Sequence, residues 1–334
     1  MSPLLDTRGI RDAQRRVPPS VHSASAGLTC SSPLGDPARM SSESASSTPA
    51  AHGARVVTDR TRTQFTRGYW KPSRGVRLPE DERSIIAQCA ALALVAHRAV
   101  VFSSLTAVTL WEGVESRGSD IEVTVGADNP LIQRPHVICR RRDLDDRDIA
   151  WVKGLAVTTP QRTFVDVARL LSLPRLIAVG DDFVRRGLCT RAQLEEVVQR
   201  MTGQRGVKRA RQAIPLIDPR SESPRESIVR ILLHERGFPP PTPQVNIFDA
   251  KGQFIARGDL VYEKERIVIE YDGEHHLSRE TQAKDASRRG KLAVNNWLIV
   301  TVVAEDVSRP ERLVAKVQAA RDARAAHPVP PSVE

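Results

Sequence analysis

The sequence predicts an α/β chain: a C-terminal mixed sheet flanked by helices, preceded by a smaller α+β domain and a disordered N-terminal tail. Three observations lead there. Beyond Pro224, short apolar runs such as "IVIEYD" and "WLIVTVV" alternate with helix-length amphipathic stretches, the order expected of a sheet covered by helices. Upstream, segments such as "DIEVTV" alternate apolar and polar residues with the period of a strand. The first 50 residues hold eleven Ser and six Pro but no Phe, Tyr or Trp, too little apolar surface to offset the entropy of ordering.

These signals divide the chain into a tail over 1–60, an α+β domain over 61–214 and an α/β domain over 215–325. Residues 60–79 mix basic residues with Phe65, Tyr69 and Trp70 ahead of a β-like "GVRLP". This reads as a basic lead-in that packs aromatics on the core, or as the end of a small winged-helix unit. A helix is expected over 79–97 and another from Ser104, then strands over 120–125 and 136–142. "LAVTTPQRTFVDVARLL" passes from strand into a helix entered at Thr159-Pro160, with Pro at its first position. Two more helices precede "GQRGVKRARQAI", where Arg205, Lys208, Arg209 and Arg211 stand without an acid, a solvated face that can also touch phosphates. The Pro-bearing break "PLIDPRSESP" marks the domain boundary. Helix, strand, strand, strand, helix, strand, helix follow.

Composition narrows the function classes. The net charge of +10 favours anionic partners such as nucleic acid. Four cysteines at 30, 89, 139 and 189 have no CxxC spacing, which fits a reducing cytoplasm and argues against a zinc ribbon or disulfide scaffold. No run approaches the roughly 18 apolar residues a membrane span needs.

The chemistry concentrates in "ARGDLVYEKERIVIEYDGEHH", residues 256–276. A hairpin with a four-residue loop, Glu263 to Arg266, sets Tyr262 against Ile267, Val261 against Val268, Leu260 against Ile269 and Asp259 against Glu270. Alternation then puts Val268, Glu270 and Asp272 on one face, so three carboxylates converge. Like charges so placed repel, and a cation, a raised pKa or a basic partner is needed to keep them. A divalent ion is the simplest resolution, with Asp259, Glu270 and Asp272 as ligands: Mg²⁺ takes carboxylate oxygen and can activate water against a phosphodiester. The alternative places the acids at solvated strand ends, balanced by Arg257 and Lys264. Glu226 is either the third residue of a capping box begun by Ser223 or a fourth acid lining the site. His276, and less so His275, could manage protons. Asp285 and Arg288 form an i,i+3 pair, with Arg288 able to reach phosphate.

The order helix-acid Glu226, strand Asp259, Glu270-x-Asp272-Gly, His276, Asp285-x-x-Arg288 and a strand led by Trp297 resembles the very-short-patch-repair-like (Vsr-like) branch of the PD-(D/E)XK nuclease superfamily, over about residues 220–320. The resemblance implies a restriction-endonuclease-like fold and a Mg²⁺-dependent (or Mn²⁺-dependent) DNA endonuclease. Asp272 stands where that superfamily usually has Lys, with Lys264 or Lys284 as substitutes, and Thr301 stands where relatives often carry Arg. "FSSLTAVTLW" from Phe102 and "VTTPQRTFVDVA" from Val157 resemble AbiEi-type antitoxins of type IV toxin-antitoxin systems, with Thr159, Arg162 and Asp166 matching their motif. That implies a DNA-recruiting or regulatory domain, and a partner toxin in the alternative reading of a regulator or antitoxin whose nuclease fold no longer cuts.

Overall fold

The computed structural model describes residues 57–58, 68–96, 100–113, 120–272 and 279–327. Residues 1–56 and 59–60 of the tail, with Phe65, His275 and His276, lie outside them, whereas Val57 and Thr58, placed in the disordered tail by the sequence, form a strand. Three sheets follow one another along the chain. The first is three-stranded, in the order β1 (Val57–Thr58), β3 (Val76–Pro79), β2 (Tyr69–Ser73). Helix α1 (Ile85–Val95) closes it by burying Ala87, Ala91 and Val95 against Val76 and Leu78. Ser84 caps α1 by accepting from the Ala87 amide, and Trp70 stacks under Arg83 while donating to the Glu82 carbonyl at 3.0 Å.

The second sheet has five strands, β4 (Val101–Phe102), β5 (Ile121–Val125), β6 (Val137–Arg141), β7 (Ile149–Val152) and β8 (Leu155–Thr158), in the order β6-β5-β4-β8-β7. Phe102, Val123, Val125 and Val157 pack with Leu92 of α1 and with Ala107 and Leu110 of α2 (Ser104–Leu110). A helical layer adjoins it: α3 (Pro160–Ala168), α4 (Leu173–Arg185), α5 (Arg191–Arg200) and α6 (Val207–Ala213). Helix α3 starts as its sequence dictates, with Pro160 at the first position and the Thr159 hydroxyl accepting from the Arg162 amide. The Arg162 side chain is buried and lies between Asp148, at 2.7 Å, and Asp166, at 3.3 Å, while Arg200 closes on the other oxygen of Asp148. Sequence alone shows neither β7 nor α6. The signal for α6 is the spacing of Val207, Ala210, Ala213 and Ile214, buried beneath the basic residues.

The third sheet runs β12-β11-β10-β9, from β9 (Thr242–Phe248), β10 (Phe254–Tyr262), β11 (Ile267–Tyr271) and β12 (Leu298–Val302). β11 and β12 are parallel and the other pairs antiparallel, a mixed sheet as expected. Helices α7 (Pro224–Glu235) and α10 (Pro310–Ala326) cover the face bearing Leu260, Tyr262, Ile267, Ile269 and Val302. Helix α8 (Arg279–Val294) sets Leu292 among Ile247, Val261 and Val268 on the other face, and the short α9 (Ala304–Ser308) joins β12 to α10.

The polar break at 215–224 separates two sheets but not two independent cores. Helix α7 places Val229 and Leu233 in the third core and Ile231 in the core of the middle helical layer. Beside Ile231, Arg230 donates to Asp181 of α4 at 2.8 Å and to the Leu216 carbonyl at 2.9 Å, both side chains being almost wholly buried.

Candidate functional site

The predicted hairpin register is the observed one: Leu260 pairs with Ile269, Val261 with Val268 and Tyr262 with Ile267. The register carries Asp259 alongside Glu270 at the end of the hairpin away from its turn, and the Asp259 carboxylate accepts from the Tyr271 amide at 3.4 Å. Glu270 is 6% exposed in the middle of the sheet, and its neighbour on β12 is Thr301.

A third acid joins them, but it is Glu226 rather than Asp272. Glu226, on the first turn of α7, is 7% exposed, and its Oε2 accepts from the Glu222 amide at 3.0 Å and from Gln244 Nε2 at 2.8 Å. Burial pushes the Asp259 carboxyl up to about 6; repulsion from Glu226 and Glu270 adds to this, while the Tyr271 amide and Arg288 oppose it. Asp272 lies one residue past the end of β11, where strand alternation no longer governs direction. Its amide donates to the Val302 carbonyl at 2.8 Å, and its exposed side chain joins no ion pair among the described residues.

Of the capping box expected at Glu226 only one half forms, and the carboxylate lies beside Asp259. The Ser223 hydroxyl accepts from the Glu226 amide at 3.2 Å, the first half of a capping box, but the carboxylate returns to the Glu222 amide, one residue ahead of the cap. Gln244, in the left-handed region at φ +55° within β9, is the partner that sequence does not reveal.

The cation beside Glu270 is Arg288, from the third turn of α8. Its Nη1 and Nη2 donate to the two oxygens of Glu270 at 2.6 and 2.8 Å, a bidentate pair, and Nη2 also meets Asp285 at 3.3 Å. Arg288 is therefore engaged by carboxylates rather than extended toward a phosphate. Lys264 is remote from the acids: it sits in the hairpin turn and lines an open recess with Glu265, Arg321 and Arg324.

As arranged, these residues do not fit a divalent ion. Both oxygens of Glu270 are taken by a guanidinium, Asp272 points to solvent, and among the described residues no group of three His, Cys, Asp or Glu could hold a metal. The repulsion expected of converging acids is relieved here by Arg288 and by the raised pKa of Asp259.

On the middle unit, Arg205 and Lys208 are exposed and free of side-chain partners among the described residues. Arg209 is used structurally, donating to the Ala168 and Leu171 carbonyls at 3.1 and 2.6 Å where α3 ends.

Residues 90–216, within the middle unit, match the family of the AbiEi antitoxin C-terminal domain. Two curated relatives, uncharacterized proteins of Mycobacterium tuberculosis strains CDC 1551 / Oshkosh and H37Rv, are each 36% identical to this chain over 168 residues. The match spans 50% of this chain and 62% of each relative. No helix among the described residues is long and apolar enough to cross a membrane.

Proposed function

We propose that this chain is a cytoplasmic, non-catalytic regulator of the type IV antitoxin kind, which counteracts a partner toxin and associates with DNA. The observation that carries this reading is the match of residues 90–216 to the AbiEi antitoxin C-terminal domain, a stretch that makes up the middle sheet and its helical layer. The clamp of Arg288 on Glu270 supports it, because an acid held by a guanidinium is stabilised without a metal ion. Arg205 and Lys208 extend from the helical layer and supply phosphate contacts without sequence reading. Co-expression with a candidate type IV toxin tests the proposal. Growth arrest by the toxin is relieved by the intact chain; a toxin that arrests growth equally with and without it overturns the reading. Replacing Arg205 and Lys208 by Ala lowers the salt slope of DNA binding by roughly 2, about 0.9 for each lost contact.

A second reading is a Mg²⁺-dependent (or Mn²⁺-dependent) DNA endonuclease of the Vsr-like kind, favoured by one observation: Glu226, Asp259 and Glu270 converge, and repulsion from the other two adds to burial in raising the Asp259 pKa. That reading requires Arg288 to release Glu270 before Asp259, Glu270 and Asp272 could hold an ion, with His276 as the proton carrier expected from the sequence. Plasmid cleavage in Mg²⁺ by the intact chain, lost in Glu270→Ala, would establish this reading; equal nicking by both proteins removes it.

A further inference from the structure

At one seam the middle unit carries two arginines, Arg142 and Arg169, that have no ion-pair partner among the described residues. Arg140 lies on β6, the outer strand of its sheet, and Arg142 is the first residue past its end, where its amide still donates to the Val125 carbonyl at 3.0 Å. Arg140 donates to Glu122 at 2.6 Å, and the other oxygen of Glu122 holds the Leu105 amide at 2.9 Å, so that acid is fully used. Arg169, which ends α3, lies near enough to Arg140 and Arg142 to be repelled by both, after burial the largest causes of its lowered pKa. Neither Arg142 nor Arg169 joins an ion pair or makes a side-chain hydrogen bond among the described residues. Asp166, whose charge acts on both, is paired through one oxygen with Arg162 at 3.3 Å and leaves the other unpartnered.

The orphaned atoms have a definite shape. Nε and Nη2 of Arg169 are both shielded from water and both lack a partner. Together they form one edge of the guanidinium, the edge with which Arg220 grips Asp218 and Arg321 grips Glu265 elsewhere in this chain. Other arginines leave one such nitrogen unpaired; among the described residues Arg169 leaves two. A guanidinium edge facing two further guanidinium groups is matched by an oxyanion with several acceptor atoms. Gly206 holds the wall behind it: its φ is +96°, and a Cβ there would stand 2.9 Å from the Arg169 amide nitrogen.

We propose that Arg140, Arg142 and Arg169 form a binding site for a phosphoryl group, with the Arg169 edge as the bidentate donor and Arg142 closing over the anion by side-chain rotation. The site is separate from the acids on the third sheet, and it does not depend on the proposed antitoxin role. The phosphoryl group could belong to a small molecule or to a nucleic-acid backbone.

Titration calorimetry of the full chain with inorganic phosphate at fixed ionic strength tests the site. Saturable binding is expected, weakened at least tenfold in Arg142→Gln and in Arg169→Gln. Arg141→Gln, on the opposite face of β6 where its side chain bonds the Asn129 carbonyl, is expected to bind as the wild type does. Arg142 has no partner to lose, so its variant folds even if that of Arg169 does not. Displacement of phosphate by a single-stranded oligonucleotide would identify a backbone phosphate as the ligand; its persistence would identify a small molecule. No saturable binding, or equal weakening in Arg141→Gln and Arg142→Gln, overturns the proposal. The first of these is the outcome if Arg169 closes instead on the free oxygen of Asp166.

Discussion

Replacing Arg230 by Ala is predicted to uncouple the two larger units. Asp181 is 1% exposed and, among the described residues, receives the Arg230 guanidinium, the Asp218 amide at 2.7 Å and a hydrogen bond from Ser227. Burial already raises its pKa, and Arg230 is the largest opposing influence. Removing one member of a buried pair costs about 3–5 kcal/mol, because the remaining charge stays desolvated. For a structured region of this size that corresponds to a fall in Tm of roughly 10 °C at pH 7. The sign with pH is fixed. A carboxyl whose folded pKa is raised destabilises fully above that pKa and not at all below its unfolded value, so the deficit shrinks as pH falls toward about 4. Scanning calorimetry should show one transition for the wild type and two for the variant. Exchanging the pair for Leu at 181 and Met at 230 should recover most of the loss. A variant that melts as one unit within about 2 °C of the wild type at pH 7 would refute the reasoning.

Three further outcomes follow from the site and its surroundings. Asp259→Asn should stabilise the fold at pH 7 by on the order of 1 kcal/mol, after reducing the roughly 3 kcal/mol of a shift to about 6 for solvent screening of a half-buried group; urea unfolding should show the gain growing from pH 4 to 6 and level above, and no gain at pH 7 would contradict it. Arg288→Gln leaves Glu270 buried without its cation and should cost about 2–4 kcal/mol by the same assay; recovery on adding Mg²⁺ would favour the endonuclease reading, and no recovery the regulator. Gly206→Ala should cost about 1–3 kcal/mol, since the residue sits at φ +96° against the Arg169 backbone, and a neutral result would mean that the loop yields.

The hairpin register was legible in the sequence because a four-residue loop fixes the pairing and alternation fixes the faces, which places Asp259 and Glu270 correctly. Alternation carries no information past the last paired residue, so Asp272 was assigned to a cluster it does not join. Its place is taken by Glu226, which spacing relates only to its own helix; that α7 starts beside Asp259 is a tertiary fact. Arg288 was legible as the partner of Asp285, while its stronger bond to Glu270 depends on how α8 crosses the sheet. The capping of α3 by Thr159 and the ion pair of Arg162 with Asp166 are local, and the sequence sufficed for both. Asp148, the other half of the Arg162 clamp, comes from a single 3-10 turn fourteen positions upstream that no periodicity marks.

Helix α7 also constrains how this protein can be divided or inherited. A fragment cut at residue 216, where the antitoxin match stops, would lack Ile231 and leave an apolar hole in the helical layer, with Asp181 stripped of the Arg230 guanidinium. Recombination that transplants the front module onto a different tail must therefore bring a substitute helix with it. A soluble expression fragment needs its end placed beyond Glu235, and the graft point that nature could reuse lies downstream of that helix.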